Sequence, residues 1–204
     1  MGMGMNDKFF DLKKEKQDRM INASLKIFAL NGYRHASTDD IVAEAGISKG
    51  LLFHYFVNKL GLYTFLYDYS VRFMLLELSG CMGGEEDDFF ELIRKKESAK
   101  MQVLKNYPYM QLFLDSVRYE NVKEALYATE EKRNVLSEAE EVLMKQADMT
   151  RFKPEVDVKK LDHMIDYTLK GIMEDRFLEN SFHPDMLHEE VRSYLDMLKK
   201  LTYR

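Results

Sequence analysis

Residues 38–59 read TDDIVAEAGISKGLLFHYFVNK, and this stretch predicts two short helices joined by one tight turn. Thr38 is a good N-cap, because its hydroxyl can accept a hydrogen bond from an unpaired amide of the first helical turn. Gly46 stands where a helix most easily ends in a left-handed residue. Ser48 can cap a second helix that ends near Phe56. The stretch therefore predicts the order helix, glycine turn, helix.

The two faces of the second short helix differ in composition. At 100° per residue, Leu52, Phe53 and Phe56 share one side, which predicts that they pack inward. The outward side lacks the acidic residues of a solvated face and consists of Lys49, Gly50, Leu51 and His54, with Tyr55 at its flank. The second helix of a helix-turn-helix enters the major groove of DNA with its N-terminal half against the bases. There a lysine can donate to guanine, a leucine can contact a thymine methyl group, and a histidine can donate or accept.

A larger set of residues agrees with a known family in order and spacing, without a gap: Arg19, Ile21, Ala23, Phe28, Gly32, Thr38, Ile41, Ala43, Ala45-Gly46-Ile47-Ser48, Gly50, Leu52, Tyr55-Phe56, Lys59 and Leu62. These residues resemble the N-terminal domain of TetR-family transcriptional regulators. The resemblance covers roughly a quarter of the chain and implies a three-helix DNA-binding domain. It implies base contacts from Ser48, Lys49, Gly50, Leu51 and His54, and phosphate contacts from Thr38, Tyr55 and Lys59.

Two features depart from the family pattern. Phe53 stands where the family often has tyrosine, which removes one hydroxyl group that could reach a phosphate. Asp39 and Asp40 bring two carboxylates close to the expected DNA backbone. Either these carboxylates point away from the DNA or they weaken its binding.

The charge of the chain is unevenly distributed. The 204 residues are 46% hydrophobic, which is enough for a core, and the formal net charge of -5 by itself argues against a nucleic-acid binder. However, residues 1–60 hold nine Lys or Arg against seven Asp or Glu, whereas the remainder holds 21 against 28. This asymmetry is expected where only the N-terminal part meets phosphates.

Helical periodicity without sustained β alternation predicts an all-α fold. We expect a helix-turn-helix DNA-binding domain at residues 1–57 and a larger helical ligand-binding and dimerisation domain at residues 58–204. Residues 1–10 show neither a cap nor a period and are expected to be loose, and residues 80–84, GCMGG, are the clearest break. The helices outside the quoted stretch are predicted at about residues 12–31, 59–78, 87–105, 108–115, 121–147, 158–178 and 185–202.

The last two predicted helices each carry a long apolar stripe. Their connection at residues 180–184 is short, which suits antiparallel packing. The resemblance implies a homodimer completed by these helices, with the two DNA-reading helices about 34–36 Å apart on successive major grooves. We expect the interface residues Leu161, Ile165, Ile172, Leu187, Val191, Tyr194 and Leu198. The alternative is that both stripes only close the core of a single chain.

Methionine and aromatic residues gather in the C-terminal part and together predict a cavity for a small apolar or aromatic ligand. Its expected lining is Phe73, Met110, Phe113, Arg118, Tyr127, Met164 and Tyr167. Such a ligand would wedge beside the long helix predicted at residues 59–78 and favour a spacing of the DNA-reading helices that no longer fits the operator. The expected function is therefore that of a repressor released by an effector. One alternative is a DNA-binding factor of the same fold without a ligand.

The sequence carries no glycine-rich phosphate loop, no nucleophile elbow, and no Cys and His set with metal spacing. His183 and His188 are five residues apart around Pro184 and do not share one helical face. We therefore predict that the protein is not an enzyme and has no cofactor or metal, although a helical enzyme or scaffold that mimics the motif stays open. The single Cys81 and the absence of a membrane-spanning apolar run predict a cytoplasmic protein.

Overall fold

The computed structural model describes residues 7–81, 84–179 and 181–204. Within these residues all regular secondary structure is helical apart from one isolated bridge between Phe152 and Tyr203, which confirms the predicted all-α fold. Two short 3-10 helices occupy Val117–Tyr119 and Met149–Arg151. The α-helices are α1 Asp7–Phe10, α2 Lys14–His35, α3 Thr38–Ala45, α4 Lys49–Phe56, α5 Lys59–Cys81, α6 Phe89–Asn106, α7 Met110–Ser116, α8 Lys123–Met144, α9 Val158–Leu178 and α10 Pro184–Thr202.

The observed helices differ from the predicted ones mainly near their ends. Gly32, predicted to stop the first long helix, has a φ of 65° and interrupts α2, which continues for one more turn to His35. The segment predicted to be loose contains α1, a single turn. Residues 1–6 of that segment, residues 82 and 83 of the predicted break, and residue 180 of the predicted connection lie outside the described residues.

The chain divides into two compact units, each built from two separate stretches of sequence. The first unit takes its described residues from 1–73 and 106–135, and the second takes its own from 74–105 and 136–204. Helices α5 and α8 therefore contribute residues to both units. The boundary predicted between residues 57 and 58 divides DNA binding from ligand binding and dimerisation, and it stays a prediction.

Aromatic rings fill the core of the first unit. The ring centroid of Phe28 on α2 lies 5.1 Å from that of Tyr63 on α5 and 6.2 Å from that of Phe113 on α7. Such pairs contribute about 0.5–1.5 kcal/mol each beyond their buried area. Just beyond α7, the carboxylate of Glu120 accepts a hydrogen bond of 2.7 Å from the backbone amide of Tyr33. These contacts attach α7 and the residues after it to α2, the helix that precedes the helix-turn-helix.

The core of the second unit is closed by the last residues of the chain. The ring centroid of Tyr203 lies 5.2 Å from that of Phe90 and 4.9 Å from that of Phe152. Nearby in the sequence, Lys199 Nζ lies 2.9 Å from the buried carboxylate of Asp88. The buried apolar residues of this core are Phe89, Phe90, Ile93, Met101, Leu104, Phe152, Leu161, Ile165, Leu169, Met173, Leu187, Val191 and Leu195. Helices α6, α9 and α10 therefore share one hydrophobic core.

Candidate nucleic-acid interface

Helices α3 and α4 form the predicted helix-turn-helix. The N-cap of α3 is Ser37, one residue before the predicted Thr38, and its Oγ accepts hydrogen bonds from the amides of Asp39 and Asp40 at 3.1 and 3.4 Å. Ser37 takes this role because its backbone is extended, with φ of -96°, whereas Thr38 is already helical. Gly46 ends α3 in the left-handed conformation, with φ of 62° and ψ of 45°. The predicted glycine turn is confirmed.

Helix α4 presents an accessible face. Ser48 caps the helix by accepting a hydrogen bond of 3.2 Å from the amide of Leu51. Ser48, Lys49, Gly50 and His54 are exposed, and Leu51 is half-buried. A Cβ atom added to Gly50 would meet no atom within 4 Å, so a second molecule can approach the backbone closely at this point.

The inward face of α4 differs from the expectation at two positions. Leu52 and Phe56 are buried as predicted, but Phe53 is only half-buried, whereas Tyr55 is 8% exposed instead of lying at the flank. The ring of Tyr55 is buried because it packs against Phe9 of α1, at 5.8 Å between centroids. Phe9 is fully buried and was not predicted to support this helix, because a single turn is too short to show a helical period.

A tight turn fixes the C-terminal end of α4 on α5. Val57 has a φ of 63°, and the amide of Asn58 donates to the carbonyl of Phe56 at 2.7 Å, which closes a γ-turn. Asn58 Oδ1 then accepts from the amide of Gly61 at 2.8 Å. A Cβ atom on Gly61 would lie 2.2 Å from the carbonyl oxygen of Phe56, so only glycine fits against this turn.

The predicted phosphate-binding residues surround this helix pair. Thr38 is half-buried at the start of α3. Lys59 Nζ donates to the carbonyl of Arg34 at 3.2 Å and lies 4.8 Å from the ring centroid of Tyr33. Burial lowers the pKa of Lys59, although the carboxylate of Glu120 acts in the opposite direction. Because an ammonium group has three donors, Lys59 can keep its hydrogen bond to Arg34 and still contact a phosphate.

The two acidic residues at the start of α3 are placed differently. Asp39 accepts hydrogen bonds from Lys49 Nζ at 2.9 and 3.0 Å, which joins the first turn of α3 to the first turn of α4. Asp40 forms no ion pair with any of the described residues. One carboxylate is thus directed at a predicted base-reading side chain and the other is not.

Residues 20–64 match the family model for bacterial regulatory proteins of the tetR family. This part of the chain is similar to the N-terminal domain of TetR-family regulators. The matched residues contain α3 and α4 entirely, together with parts of α2 and α5. No curated protein matches the chain.

Solved structures share the fold over nearly the whole chain. A TetR family transcriptional regulator from Chloroflexus aurantiacus is 20% identical, with a TM-score of 0.62 over 97% of this chain and 98% of that one. The TetR family transcriptional regulator PfmR from Thermus thermophilus is 20% identical, with a TM-score of 0.58 over 89% and 97%. The fatty acid degradation regulator FadR from Bacillus halodurans is 21% identical, with a TM-score of 0.60 over 89% and 97%. The chain therefore has the fold of a TetR-type transcriptional regulator.

The residues predicted to line a ligand cavity have very different exposures. Met110 and Phe113 are 0% exposed, Phe73 is half-buried, Arg118 is exposed, Tyr127 is 83% exposed, and Met164 and Tyr167 are 61% and 69% exposed. Phe113 belongs to the aromatic core of the first unit and has no surface left for a ligand. The strongly exposed side chains can enclose a ligand only if another surface covers them.

Most residues predicted for the dimer interface lie inside the core of the second unit. Leu161, Ile165, Leu187 and Val191 are at most 6% exposed, so their surface is already buried within one chain. Ile172 and Leu198 are partly buried against the same core, and Tyr194 is 37% exposed. The buried parts of the two apolar stripes therefore help to close the core of a single chain, and the predicted interface stays a prediction. The same two helices expose a second apolar set: Met164, Tyr167, Met197 and Leu201.

Two further properties concern the described part of the chain. Among residues 7–81, 84–179 and 181–204, no group of three or more His, Cys, Asp or Glu side chains is placed to hold a metal ion. Across the same ranges, no helix is long and apolar enough to cross a membrane.

Proposed function

We propose that the chain regulates transcription by binding a palindromic DNA operator as a homodimer, with α4 of each copy in a major groove. The observation that carries this proposal is the outward face of α4, where Lys49, Gly50 and His54 are exposed and no carboxylate belongs to the helix. Because the opposite face is buried, the helix is held as a rigid element. A rigid helix with an accessible, cationic N-terminal half fits a groove lined with hydrogen-bond acceptors. Such an operator lies on chromosomal DNA, so the proposal includes a cytoplasmic location.

The proposal divides the surrounding residues between bases and phosphates. Bases are contacted by Ser48, Lys49, Gly50, Leu51 and His54, and phosphates by Thr38, Tyr55 and Lys59. The lysine at the start of α4 donates to guanine, the leucine lies on a thymine methyl group, and the histidine donates or accepts. The phosphate contacts set the register of the protein on the duplex and carry little sequence information.

The homodimer in this proposal uses the exposed apolar residues of α9 and α10. They are Met164, Tyr167, Met197 and Leu201, with exposed fractions of 61%, 69%, 49% and 60%. Exposed apolar side chains of this kind lose their contact with water when the same helices of a second copy cover them. In the dimer, the two α4 helices meet half-sites about 34–36 Å apart.

As its regulation, we propose repression that a small, largely apolar or aromatic ligand relieves. The half-buried rings of Phe73 and Tyr69, with centroids 4.7 Å apart, would supply an apolar wall, and the hydroxyl group of Tyr69 would supply a polar group. A second candidate is a DNA-binding factor of the same fold without an effector. It is favoured by the complete burial of Met110 and Phe113, which the core already uses.

DNA binding is tested by selecting tight duplexes from a randomised library and by electrophoretic shift on the DNA upstream of the chain's own gene. We expect enrichment of a palindrome. Lys59→Ala should weaken binding to selected and random duplexes alike and lower the salt slope by about one. His54→Ala should weaken binding to the selected duplex only, with a changed preference at particular bases. Failure to enrich any sequence, or equal effects of both variants on both duplexes, would contradict the assignment.

The dimer is tested by the molar mass in solution of Tyr167→Glu and Tyr127→Glu. Both tyrosines are strongly exposed, but only Tyr167 lies on α9, so only its replacement should shift the mass toward one chain. Equal behaviour of the two variants would rule out this interface.

The effector is tested by thermal-shift screening of apolar and aromatic compounds, followed by release of the selected duplex. A compound that both stabilises the protein and releases DNA supports the ligand-regulated function. A DNA complex that is indifferent to every stabilising compound supports the second candidate.

A further inference from the structure

Lys49 carries the positive charge at the start of α4, and in the structure this charge is already engaged. Its Nζ lies 2.9 and 3.0 Å from the two carboxylate oxygens of Asp39, so both oxygens accept from it. The side chains of Lys49 and Asp39 are 48% and 71% exposed, which leaves the pair accessible to another molecule. Any DNA acceptor must therefore displace this carboxylate or share the ammonium group of Lys49 with it.

The neighbouring residue provides an internal comparison. Asp40 follows Asp39 in the same helical turn, and the amides of both residues donate to Ser37 Oγ. Both carboxylates are favoured by the positive end of the α3 dipole. Only Asp39 pairs with Lys49, while Asp40 contacts no cation within the described residues. Replacing Asp39 and Asp40 in turn therefore separates the effect of a carboxylate that binds Lys49 from that of a nearby carboxylate that does not.

The two kinds of DNA acceptor compete with Asp39 on unequal terms. Phosphate oxygens occur along every DNA sequence, and the negative carboxylate of Asp39 repels them. This repulsion disfavours contacts between Lys49 and phosphate, which do not depend on sequence. A guanine edge offers two neutral acceptors in the major groove, which the carboxylate repels much less. An unfavourable interaction with wrong partners raises specificity without adding any attraction to the right one.

From this geometry, and on the basis of the proposed function, we propose that Asp39 is a positioning residue that sets DNA specificity by withholding Lys49 from the phosphate backbone. In this role Asp39 lowers the affinity for random duplex and has little effect on the affinity for the operator. An exposed ion pair of this kind is weak, so an operator base can still displace the carboxylate. The expected effect of its removal is about two- to fivefold in affinity for random duplex.

The experiment compares the full chain with Asp39→Asn, Asp40→Asn, Lys49→Met and the double variant of Asp39→Asn with Lys49→Met. Each protein is titrated with the duplex that the unaltered chain selects and with a random duplex of equal length, between about 50 and 200 mM salt. Asp39→Asn should tighten random binding about two- to fivefold and steepen the salt slope by about 0.9, as expected for one additional phosphate contact. The affinity ratio between selected and random duplex should fall by a similar factor. Asp40→Asn should leave this ratio within about twofold.

The Lys49→Met background shows whether Asp39 acts through Lys49. There, Asp39→Asn should no longer steepen the salt slope, and it should change the ratio between the duplexes no more than Asp40→Asn does. If Asp39→Asn and Asp40→Asn behave alike, or if the effect of Asp39→Asn persists in the Lys49→Met background, the inference is refuted while the proposed function stands. If the unaltered chain selects no duplex, the proposed function and the inference fail together.

Discussion

Replacing Phe9 with alanine should destabilise the protein strongly, although Phe9 belongs to a helix of only four residues. Its side chain is fully buried, and its ring centroid lies 5.8 Å from Tyr55, 5.2 Å from Phe56 and 5.3 Å from Phe65. Truncation of a buried phenylalanine costs about 3–5 kcal/mol. Because α1 can detach and let the site partly collapse, we expect a loss of unfolding free energy at the lower limit, about 3 kcal/mol.

Phe10 is the matched control for this substitution. It neighbours Phe9 and also faces Phe65, but it is 49% exposed, so Phe10→Ala should cost only about 1 kcal/mol. Urea unfolding of both variants at one protein concentration and pH measures the difference. Phe9→Ala should also weaken DNA binding, since Tyr55 and Phe56 on α4 lose their support. Unfolding free energies of the two variants within about 0.5 kcal/mol of each other would refute the reasoning.

Gly50→Ala should raise the unfolding free energy by about 0.5–1 kcal/mol, because Gly50 is helical and open space surrounds it. The same variant should weaken DNA binding, because the added methyl group blocks close approach of the DNA. Tighter binding of the selected duplex would contradict this prediction. Gly61→Ala should instead lower the unfolding free energy by about 1–3 kcal/mol, because its Cβ would lie 2.2 Å from the carbonyl oxygen of Phe56. An unchanged midpoint of urea unfolding would exclude that close contact. The third prediction concerns Asp88, whose burial acts to raise its pKa, but Lys199 and the backbone amides outweigh burial and hold that pKa below its usual range. Since the pKa of Asp88 is lower in the folded state, its stabilisation is present above about pH 4 and is lost as the pH falls further. Asp88→Asn should therefore weaken the dependence of the unfolding free energy on acidic pH, and it should cost about 1–3 kcal/mol at neutral pH. If urea unfolding measured across pH shows the same loss of stability in acid for the variant, Asp88 does not contribute.

Features that depend on a few neighbouring residues were predictable from the sequence. Gly46 and Ser48 take their predicted roles because a left-handed C-cap and a hydroxyl N-cap are decided within one helical turn. The cap of α3 was placed one residue too late because Ser37 and Thr38 both carry a hydroxyl group. Only the backbone angles distinguish the two, and these follow from the break at Gly32 and the path of the chain after it.

Features that depend on distant partners could not be predicted in the same way. On helix α9, Leu161 and Met164 are three residues apart and differ by only about 60° around the helix, and periodicity detects such apolar residues without saying what covers each of them. The structure buries Leu161 at 6% exposure and leaves Met164 at 61%. The pairing of Lys49 with Asp39 spans ten residues across the glycine turn, so it depends on the angle between two helices and not on a local pattern.

The division of the chain into units affects how its parts can be recombined. Phe113 and Glu120 follow α6 in sequence but belong to the same compact unit as the helix-turn-helix, through Phe28 and the amide of Tyr33. A chimera that joins residues 1–57 to another regulator's body would expose the ring of Phe28 and leave the amide of Tyr33 without its acceptor. Transplanting residues 106–135 along with the N-terminal segment avoids both defects, so exchange between such proteins should succeed with three crossover points in the gene rather than one.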